Sequence, residues 1–357
     1  MAAGGGGDAL AALIIGRSLS PDSERGQVVA SFSWDRYVID PTPGPRRAAD
    51  FADLGQISEH VWEVTPDSRL RTGGTSGLAI LARHTKDRFF LLDPSDGVRG
   101  LHTQITELAA CLSASQVVLV DVGGDIAARG DEPGLASPLA DSLALAAVAG
   151  LPGNAEVVVA GPGLDGELTE NHVRAQMASI NARHHRVDAA DAKSYRDALD
   201  HHPSEATALL SAAALGIEGR AEIRDSAALV RLSAASADLL VADCKALATI
   251  NHVARRLATT QSFEEAERVT REICGRTELD HERAKAATLA ETAYREPSSA
   301  QVRDRIAAHR VATAQRGANL ISFRRLLEVA GLRRYDPHLI RATLGASAYD
   351  DVPLCRI

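Results

Sequence analysis

Three loops of the sequence combine glycines with pairs of acidic residues, and each loop follows a short apolar run. The runs are 89–92, 117–120 and 157–160, and the loops are 93–97, 121–125 and 161–167. Apolar runs of this length predict buried strands, and open parallel sheets bind ligands beyond the carboxyl ends of their strands. Asp and Gly also favour ordinary turns, but three such loops on neighbouring strands favour a shared ligand site.

The acidic residues of these loops could act in two ways. One or two carboxylates, together with substrate phosphates and water, commonly hold Mg²⁺, so we predict a metal site at Asp121 and Asp125. The same carboxyl groups could act as acids or bases if burial and like-charged neighbours raise a pKa. We therefore predict that Asp121, Asp125 and Asp165 are catalytic. Further substrate contacts are predicted for Asp8, Asp96, Asp141 and Glu167.

A second kind of loop is suited to an anion. Residues 71–77 read RTGGTSG and precede a predicted helix, and the free amides at a helix start bind phosphate or carboxylate. Arg99 is a second predicted clamp for the same anion. The alternative is a capped helix behind a glycine turn. The predicted anion contacts in the loop are Thr72, Gly73, Gly74, Thr75 and Ser76.

The glycines at the start of the chain allow a nucleotide site. Residues 4–9 fit the pattern GxGxxA, which predicts Gly5, Gly6 and Gly7 as contacts to NAD(P), with Asp35 near the ribose. That pattern needs a strand immediately before it, and only three residues precede Gly4. Because Asp8 would lie close to the pyrophosphate, the loop could instead direct Asp8 toward a metal, hydroxyl or amine.

Other motifs are weaker predictors of a site. Glu205 follows Ser204, which fits a helix cap, and the His pairs 184–185 and 201–202 lack ligand spacing. The sequence has no GxSxG or GxxxxGK[ST] motif, which disfavours serine hydrolases and P-loop proteins. The arginine pairs 324–325 and 333–334 flank an apolar helix, but DNA binding is disfavoured without the expected turn and net basicity.

The order of the predicted elements indicates an α/β fold. Up to Gly216, strands alternate with helices, which predicts a mainly parallel, Rossmann-like sheet with crossover helices. Strands are predicted at 28–34 (extended by 38–40), 89–92, 117–120, 157–160 and 239–242, the last as the final strand, with a hairpin at 221–224 and 229–232. Residues 1–243 are predicted to form the α/β ligand-binding core. Residues 244–357 are predicted to be a helical region packed on the core or on a second subunit, so we expect a homo-oligomer.

Composition excludes several classes of partner. The 357 residues carry a formal net charge of −8, and an acidic chain without a dominant basic patch disfavours nucleic acid. The four cysteines lie far apart and predict neither a zinc site nor a disulfide framework. No apolar run reaches the roughly 18 residues of a membrane span, and no signal peptide is recognisable. We expect a cytoplasmic protein with a small-molecule substrate.

Several motifs resemble those of a prokaryotic family known as a domain of unknown function. They are AAGGGGD (2–8), DVGGD (121–125), SPLAD (137–141), GPGLDGE (161–167), HPSE (202–205) and AEIRD (221–225). The resemblance extends to about Asp225 and implies no particular reaction. Its members usually have a strand before GGGGD, whereas this sequence begins almost on that segment.

Three functional hypotheses follow from these observations. The first is an enzyme of small-molecule metabolism that acts on a polar, hydroxylated substrate bearing phosphate or carboxylate, by hydrolysis or elimination with Asp or cation-assisted chemistry, and with Mg²⁺ as a possible cofactor. The second is an NAD(P)-dependent oxidoreductase that uses residues 4–9. The third is a non-enzymatic nucleotide or metabolite sensor whose C-terminal helices carry the response.

Overall fold

The protein has a mixed α/β fold in the computed structural model, which describes residues 1–20 and 26–357. The strands within these ranges are β1 (Val28–Ser31), β2 (Phe51–Ala52), β3 (Gly55–Gln56), β4 (Trp62–Val64), β5 (Arg69–Leu70), β6 (Arg88–Leu91), β7 (Val117–Val122), β8 (Ala155–Ala160), β9 (Arg183–Arg186), β10 (Gly219–Ile223), β11 (Ala228–Leu232), β12 (Asp238–Asp243), β13 (Leu320–Ser322) and β14 (Leu354–Arg356).

The helices surround the sheets and connect most of the strands. They are α1 (Gly6–Leu19), α2 (Gly77–His84), α3 (Gly97–Leu112), α4 (Pro138–Ala149), α5 (Glu170–Ser179), α6 (Ala189–Ser194), α7 (Arg196–His201), α8 (Glu205–Ala214), α9 (Cys244–Ile250), α10 (His252–Leu257), α11 (Phe263–Cys274), α12 (Glu278–Glu291), α13 (Ser299–Gln315), α14 (Phe323–Ala330) and α15 (Pro337–Leu344). No helix in the described ranges is both long and apolar enough to span a bilayer.

The two four-stranded sheets that form within residues 28–243 are mixed, whereas the sequence predicted a mainly parallel sheet. Their strand orders are β1-β6-β4-β3 and β7-β8-β12-β9. Only β1/β6 and β7/β8 pair in parallel within them, and the remaining pairs are antiparallel. The short loop between β3 and β4 permits only antiparallel pairing, because a parallel pair needs a longer crossover.

The first residues of the chain join these two sheets. The Ala2 amide donates to the Ala30 carbonyl of β1 at 2.8 Å, and the Ala3 amide donates to the Val120 carbonyl of β7 at 2.8 Å. Ala2 also forms a parallel bridge with Val120. Residues 1–3 therefore lie between β1 and β7, and the glycine loop 4–7 begins where β1 and β7 end.

Helices cover both faces of the joined sheets. Helix α1 is apolar on every side, and Leu10, Leu13, Ile14 and Ile15 are fully buried in the core of one face. Helix α4 is similarly enclosed in the core of the other face. Helices that are apolar all round belong in the interior of large domains, so α1 and α4 are held firmly, and both begin at the same edge of the sheet.

Two sequence expectations on the strands are wrong. Residues 38–40 form a turn, in which the Ile39 and Asp40 amides donate to the Arg36 carbonyl, and they do not extend β1. Strand β12 is not the final strand, because β13 and β14 follow it and join β10 and β11 in a third sheet. Since β13 pairs in parallel with β10, residues 244–357 contribute strands as well as helices and share a sheet with the predicted core. The predicted hairpin at β10 and β11 is confirmed.

Candidate functional site

One cavity at the carboxyl ends of β1 and β7 collects the acidic residues of distant loops. Asp8 lies in the first turn of α1, and Asp141 lies in the first turn of α4. Asp121 belongs to β7, Asp125 follows it, and Asp165 is in the loop after β8. The acidic residues that line this central cavity are Asp8, Asp35, Asp121, Asp125, Asp141, Asp165, Glu205, Glu278 and Glu282.

The first carboxylate group consists of Asp8, Asp121 and Asp141. Each offers an oxygen within 4.8 Å of an oxygen of the others. The Gly4 amide donates to Asp8 Oδ2 at 2.9 Å, whereas Asp121 Oδ2 and Asp141 Oδ1 have no hydrogen-bond partner among the described residues. Asp121 is only 1% exposed and Asp141 4%. Buried polar atoms are almost always partnered, so these oxygens indicate a place for a ligand.

The second carboxylate group consists of Asp125, Asp165 and Glu167, again with oxygens within 4.8 Å of one another. Glu167 accepts hydrogen bonds from the amides of Ala136 and Ser137, at 2.6 and 2.9 Å, and pairs with Arg224 at 2.8 Å. Asp165 Oδ2 has no partner in the part of the chain that the structure describes. Both carboxylate oxygens of Glu167 thus accept hydrogen bonds, whereas Asp165 Oδ2 is still able to accept one.

Burial is the main cause of the altered acidity in this cavity. It raises the pKa of both Asp8 and Asp165 to about 7, and like-charged neighbours add to the effect. It also raises the pKa of Asp121, Asp125 and Asp141 well above the ordinary value, again with help from neighbouring carboxyl groups. The raised pKa values favour the protonated forms of these carboxyl groups, and a bound divalent cation would favour their ionised forms.

Three arginines line the same cavity: Arg36, Arg224 and Arg324. Arg224 pairs with Glu167, and Arg324 pairs with Glu205 at 2.6 Å. The Arg36 guanidinium makes no hydrogen bond or ion pair with the described residues. His202 is buried beside them with Nε2 unpartnered in these ranges; burial, and then the charge of Arg36, lowers its pKa to about 4, so its imidazole is neutral.

Residues from the C-terminal helices complete the cavity. Glu278 accepts the Leu139 and Ala140 amides at the start of α4, at 3.0 and 2.8 Å, and burial raises its pKa to about 8. Glu282 accepts the Trp34 indole N–H at 2.9 Å. Sequence reasoning missed Arg36, His202, Arg224, Glu278, Glu282 and Arg324 as site residues. Arg36 could have been found from the sequence, because it follows Asp35 directly after the predicted strand 28–34. Glu278 and Glu282 lie on an ordinary charged helix, and no sequence pattern distinguishes them from surface residues.

The glycines of the N-terminal loop are required by close packing. A Cβ on Gly5 would lie 2.1 Å from the Trp34 carbonyl oxygen, and one on Gly6 would lie 2.7 Å from Asp35 Oδ1. A Cβ on Gly7 would lie 2.8 Å from Ser204 Oγ. Gly4, Gly5 and Gly7 line the cavity, and the missing side chains of Gly6 and Gly7 let Asp35 and the start of α8 approach α1.

The predicted anion loop lies outside the central cavity. The Thr72 hydroxyl and the Gly73 carbonyl accept hydrogen bonds from Arg46, at 2.8 and 3.1 Å. The Thr75 amide donates to the Ile39 carbonyl at 2.8 Å. The hydroxyls of Ser76 and Ser33 bond at 2.8 Å, and a Cβ on Gly74 would lie 2.7 Å from Asp40 Oδ1. Many of the hydrogen-bonding groups of this loop therefore already have partners within the protein.

Arg99 and Asp96 also lie apart from the central cavity. They line a separate cleft together with Asp93, Ser95 and Gln261. The sequence predicted that Arg99 and residues 72–76 would clamp one anion, and the structure brings neither into contact with the carboxylate groups.

The family model described as "Protein of unknown function (DUF1152)" matches residues 1–286. The chain belongs to this family. The family region extends beyond Asp225, where the sequence resemblance ended, and includes both carboxylate groups, Arg36, Arg224, Glu278 and Glu282. Arg324 and strand β13 lie beyond it. No curated protein and no solved structure matches the chain.

Proposed function

We propose that this protein is an enzyme that uses a divalent cation, such as Mg²⁺, to act on a small, polar, hydroxylated substrate bearing phosphate or carboxylate. The observation that carries the proposal is the set of unpartnered, buried oxygens of Asp121, Asp141 and Asp165 in one cavity. Burying several carboxyl groups together is costly, and the arginines Arg224 and Arg324 of the cavity are already paired with Glu167 and Glu205. A cation site accounts for this cost, because hard divalent cations prefer oxygen ligands.

The first carboxylate group is the better cation site. Asp8, Asp121 and Asp141 can each direct an oxygen to one point, because their carboxylate oxygens lie within 4.8 Å of one another. In the second group, Glu167 is already saturated by Arg224 and two amides. We therefore propose that Asp125, which the sequence predicted as a metal ligand, acts instead as an acid–base group together with Asp165.

Asp165 is suited to proton transfer. A pKa of about 7 allows a carboxyl group to give or take a proton near neutral pH, where acid–base catalysts are most efficient. Its unpartnered oxygen faces the cavity that would hold the substrate. Hydrolysis and elimination both need such a group, so we propose one of these two reactions.

A Rossmann-like arrangement supports the location of the site. We infer it from the spatial order β6, β1, residues 1–3, β7 and β8. Among these five segments the chain order is third, second, first, fourth and fifth, so the glycine loop after residues 1–3 lies where the order reverses, next to β7. Ligands of such sheets bind where the strand order reverses. The carboxylates of Asp8 and Asp35, close to Gly4 and Gly6, disfavour a pyrophosphate there, so the NAD(P) alternative is the weaker one.

Substitution of the central carboxylates tests the proposal. We expect Asp121→Asn to weaken Mn²⁺ binding at least tenfold in calorimetric titration, because it removes a ligand from the first carboxylate group. Asp125→Asn should reduce turnover on a panel of phosphorylated and carboxylated sugars and polyols. Asp67→Asn, at an exposed turn residue, is the matched control and should bind Mn²⁺ as the unaltered chain does.

Unchanged Mn²⁺ affinity in Asp121→Asn, or no Mn²⁺ binding by the unaltered chain, would contradict the proposal. A ligand that is bound and returned chemically intact, as judged by mass spectrometry, would instead support the sensor hypothesis.

A further inference from the structure

The three arginines of the cavity lie close enough for their positive charges to interact. Arg36, Arg224 and Arg324 line both the central cavity and an adjoining outer cleft. The positive charges of Arg324 and Arg224 act on Arg36 strongly enough that, after burial, they are the next causes that lower its pKa. Like charges held together in a folded protein are costly, and this arrangement is relieved when an anion binds among them.

Two of the arginines are held in place by ion pairs with buried glutamates. Arg224 is anchored by Glu167 at 2.8 Å and Arg324 by Glu205 at 2.6 Å. Each anchoring carboxylate also has other donors: Ala136 and Ser137 amides for Glu167, and the Arg224 amide for Glu205. Because the carboxylates are shared in this way, they neutralise the guanidiniums only in part and leave N–H groups available.

Arg36 and Arg324 both line the central cavity and keep donor groups that make no hydrogen bond with the described residues. Arg324 is 7% exposed, and its Nε makes no hydrogen bond with the described residues, although Glu328 Oε1 lies 3.7 Å away as a long ion pair. Arg36 is accessible from the cavity and its guanidinium has no partner in the same ranges. A buried guanidinium N–H without an acceptor is costly, so Arg324 indicates an anionic ligand, and the exposed Arg36 can donate to the same ligand.

We propose that Arg36, Arg224 and Arg324 bind a phosphoryl group, and that the substrate is therefore a phosphate ester. Phosphate fits better than carboxylate, because three guanidiniums offer more donors than two carboxylate oxygens can accept, whereas a phosphoryl group presents three terminal oxygens. This inference rests on the proposed function only in treating the bound phosphate as part of a substrate.

The position of the arginines also orients the rest of the ester. They line both the carboxylate-lined cavity and the outer cleft, whose other lining residues include Tyr37, Pro41, Pro43, His281 and Lys285. A phosphoryl group bound by them lies beside the carboxylate groups, and the organic part extends into the outer cleft.

Titration of the full chain with inorganic phosphate tests the inference. We expect calorimetry in the presence of Mg²⁺ to show binding of phosphate, and at least tenfold weaker binding of acetate. Arg36→Met should weaken phosphate binding at least tenfold, and Arg36→Lys should weaken it less, because lysine keeps the charge but loses the planar fork of donors. Arg256→Met, at an exposed arginine of α10, is the matched control and should bind phosphate normally.

The inference is overturned if Arg36→Met binds phosphate as tightly as the unaltered chain, or if acetate binds as tightly as phosphate. Mn²⁺ titration of the same variants separates the two proposals. If Mn²⁺ binding still depends on Asp121 while phosphate is not bound, the phosphate inference fails and the proposed function stands. If phosphate binding depends on Arg36 and Mn²⁺ is not bound, the proposed function fails instead.

Discussion

Asp8 and Asp141 show which force controls acidity in this cavity. Each lies in the first turn of a helix, where the helix dipole stabilises a negative charge by about 1 kcal/mol. Removing a carboxylate from water costs on the order of several kcal/mol, so burial outweighs the dipole and raises the pKa of both groups. The same residues can therefore hold either protons or a divalent cation.

Gly5 and Gly73 differ in what a side chain would meet, although the sequence predicts both as binding residues. A Cβ on Gly5 would overlap the Trp34 carbonyl oxygen at 2.1 Å, whereas a Cβ on Gly73 would meet nothing within 4 Å. We expect Gly5→Ala to lower the free energy of unfolding by about 1–3 kcal/mol, as overpacking does, because the start of α1 must shift. Urea unfolding measures this difference.

Gly73→Ala is the control for that measurement and should change the free energy of unfolding by less than about 0.5 kcal/mol. Equal losses in the two variants would argue against close packing as the reason for glycine at position 5.

At the scale of elements, β13 and α14 bring the C-terminal region into the site. Strand β13 pairs with β10, and α14 begins directly after it, so that Arg324 reaches Glu205 at the start of α8. The apolar segment 320–322 is too short to be recognised as a strand between helical patterns. For this reason the sequence predicted β12 as the final strand and missed Arg324.

Removal of Arg324 tests the importance of this contact. Arg324→Met leaves the buried Glu205 carboxylate without its ion-pair partner, and we expect a loss of about 3 kcal/mol in the free energy of unfolding. Arg334→Met, at an exposed arginine, should cost less than about 0.5 kcal/mol. Chemical denaturation of both variants gives the comparison, and a loss at Arg324 no larger than that at Arg334 would contradict the prediction.

At the scale of the whole molecule, the buried acids couple stability to pH. Asp8, Asp35 and Asp165 have pKa values of about 7 in the folded protein, and burial is the largest cause for each. In the unfolded chain they ionise near pH 4. Between these pH values the folded state binds more protons than the unfolded state, so its stability falls as the pH rises.

We expect the melting temperature in EDTA to fall by about 5 °C or more between pH 5 and pH 8, given about 1.4 kcal/mol per pH unit for each group. Excess Mg²⁺ should restore it at pH 8, where the carboxylates are ionised, and have little effect at pH 5. Asp165→Asn should show a shallower fall, because one of the shifted groups is absent. A melting temperature that rises from pH 5 to pH 8 in EDTA would contradict this prediction.

The sequence by itself determined several of the elements and much of the acidic set. Apolar runs and glycine–acid loops locate β6, β7 and β8 and identify Asp8, Asp121, Asp125, Asp141 and Asp165, because burial and turn chemistry leave local patterns. Convergence of these loops on one cavity leaves no local pattern, since it depends on how distant segments pack. For this reason, only the tertiary structure shows that Arg36, Arg224 and Arg324 lie together. It also shows that residues 72–76 make contacts within the protein.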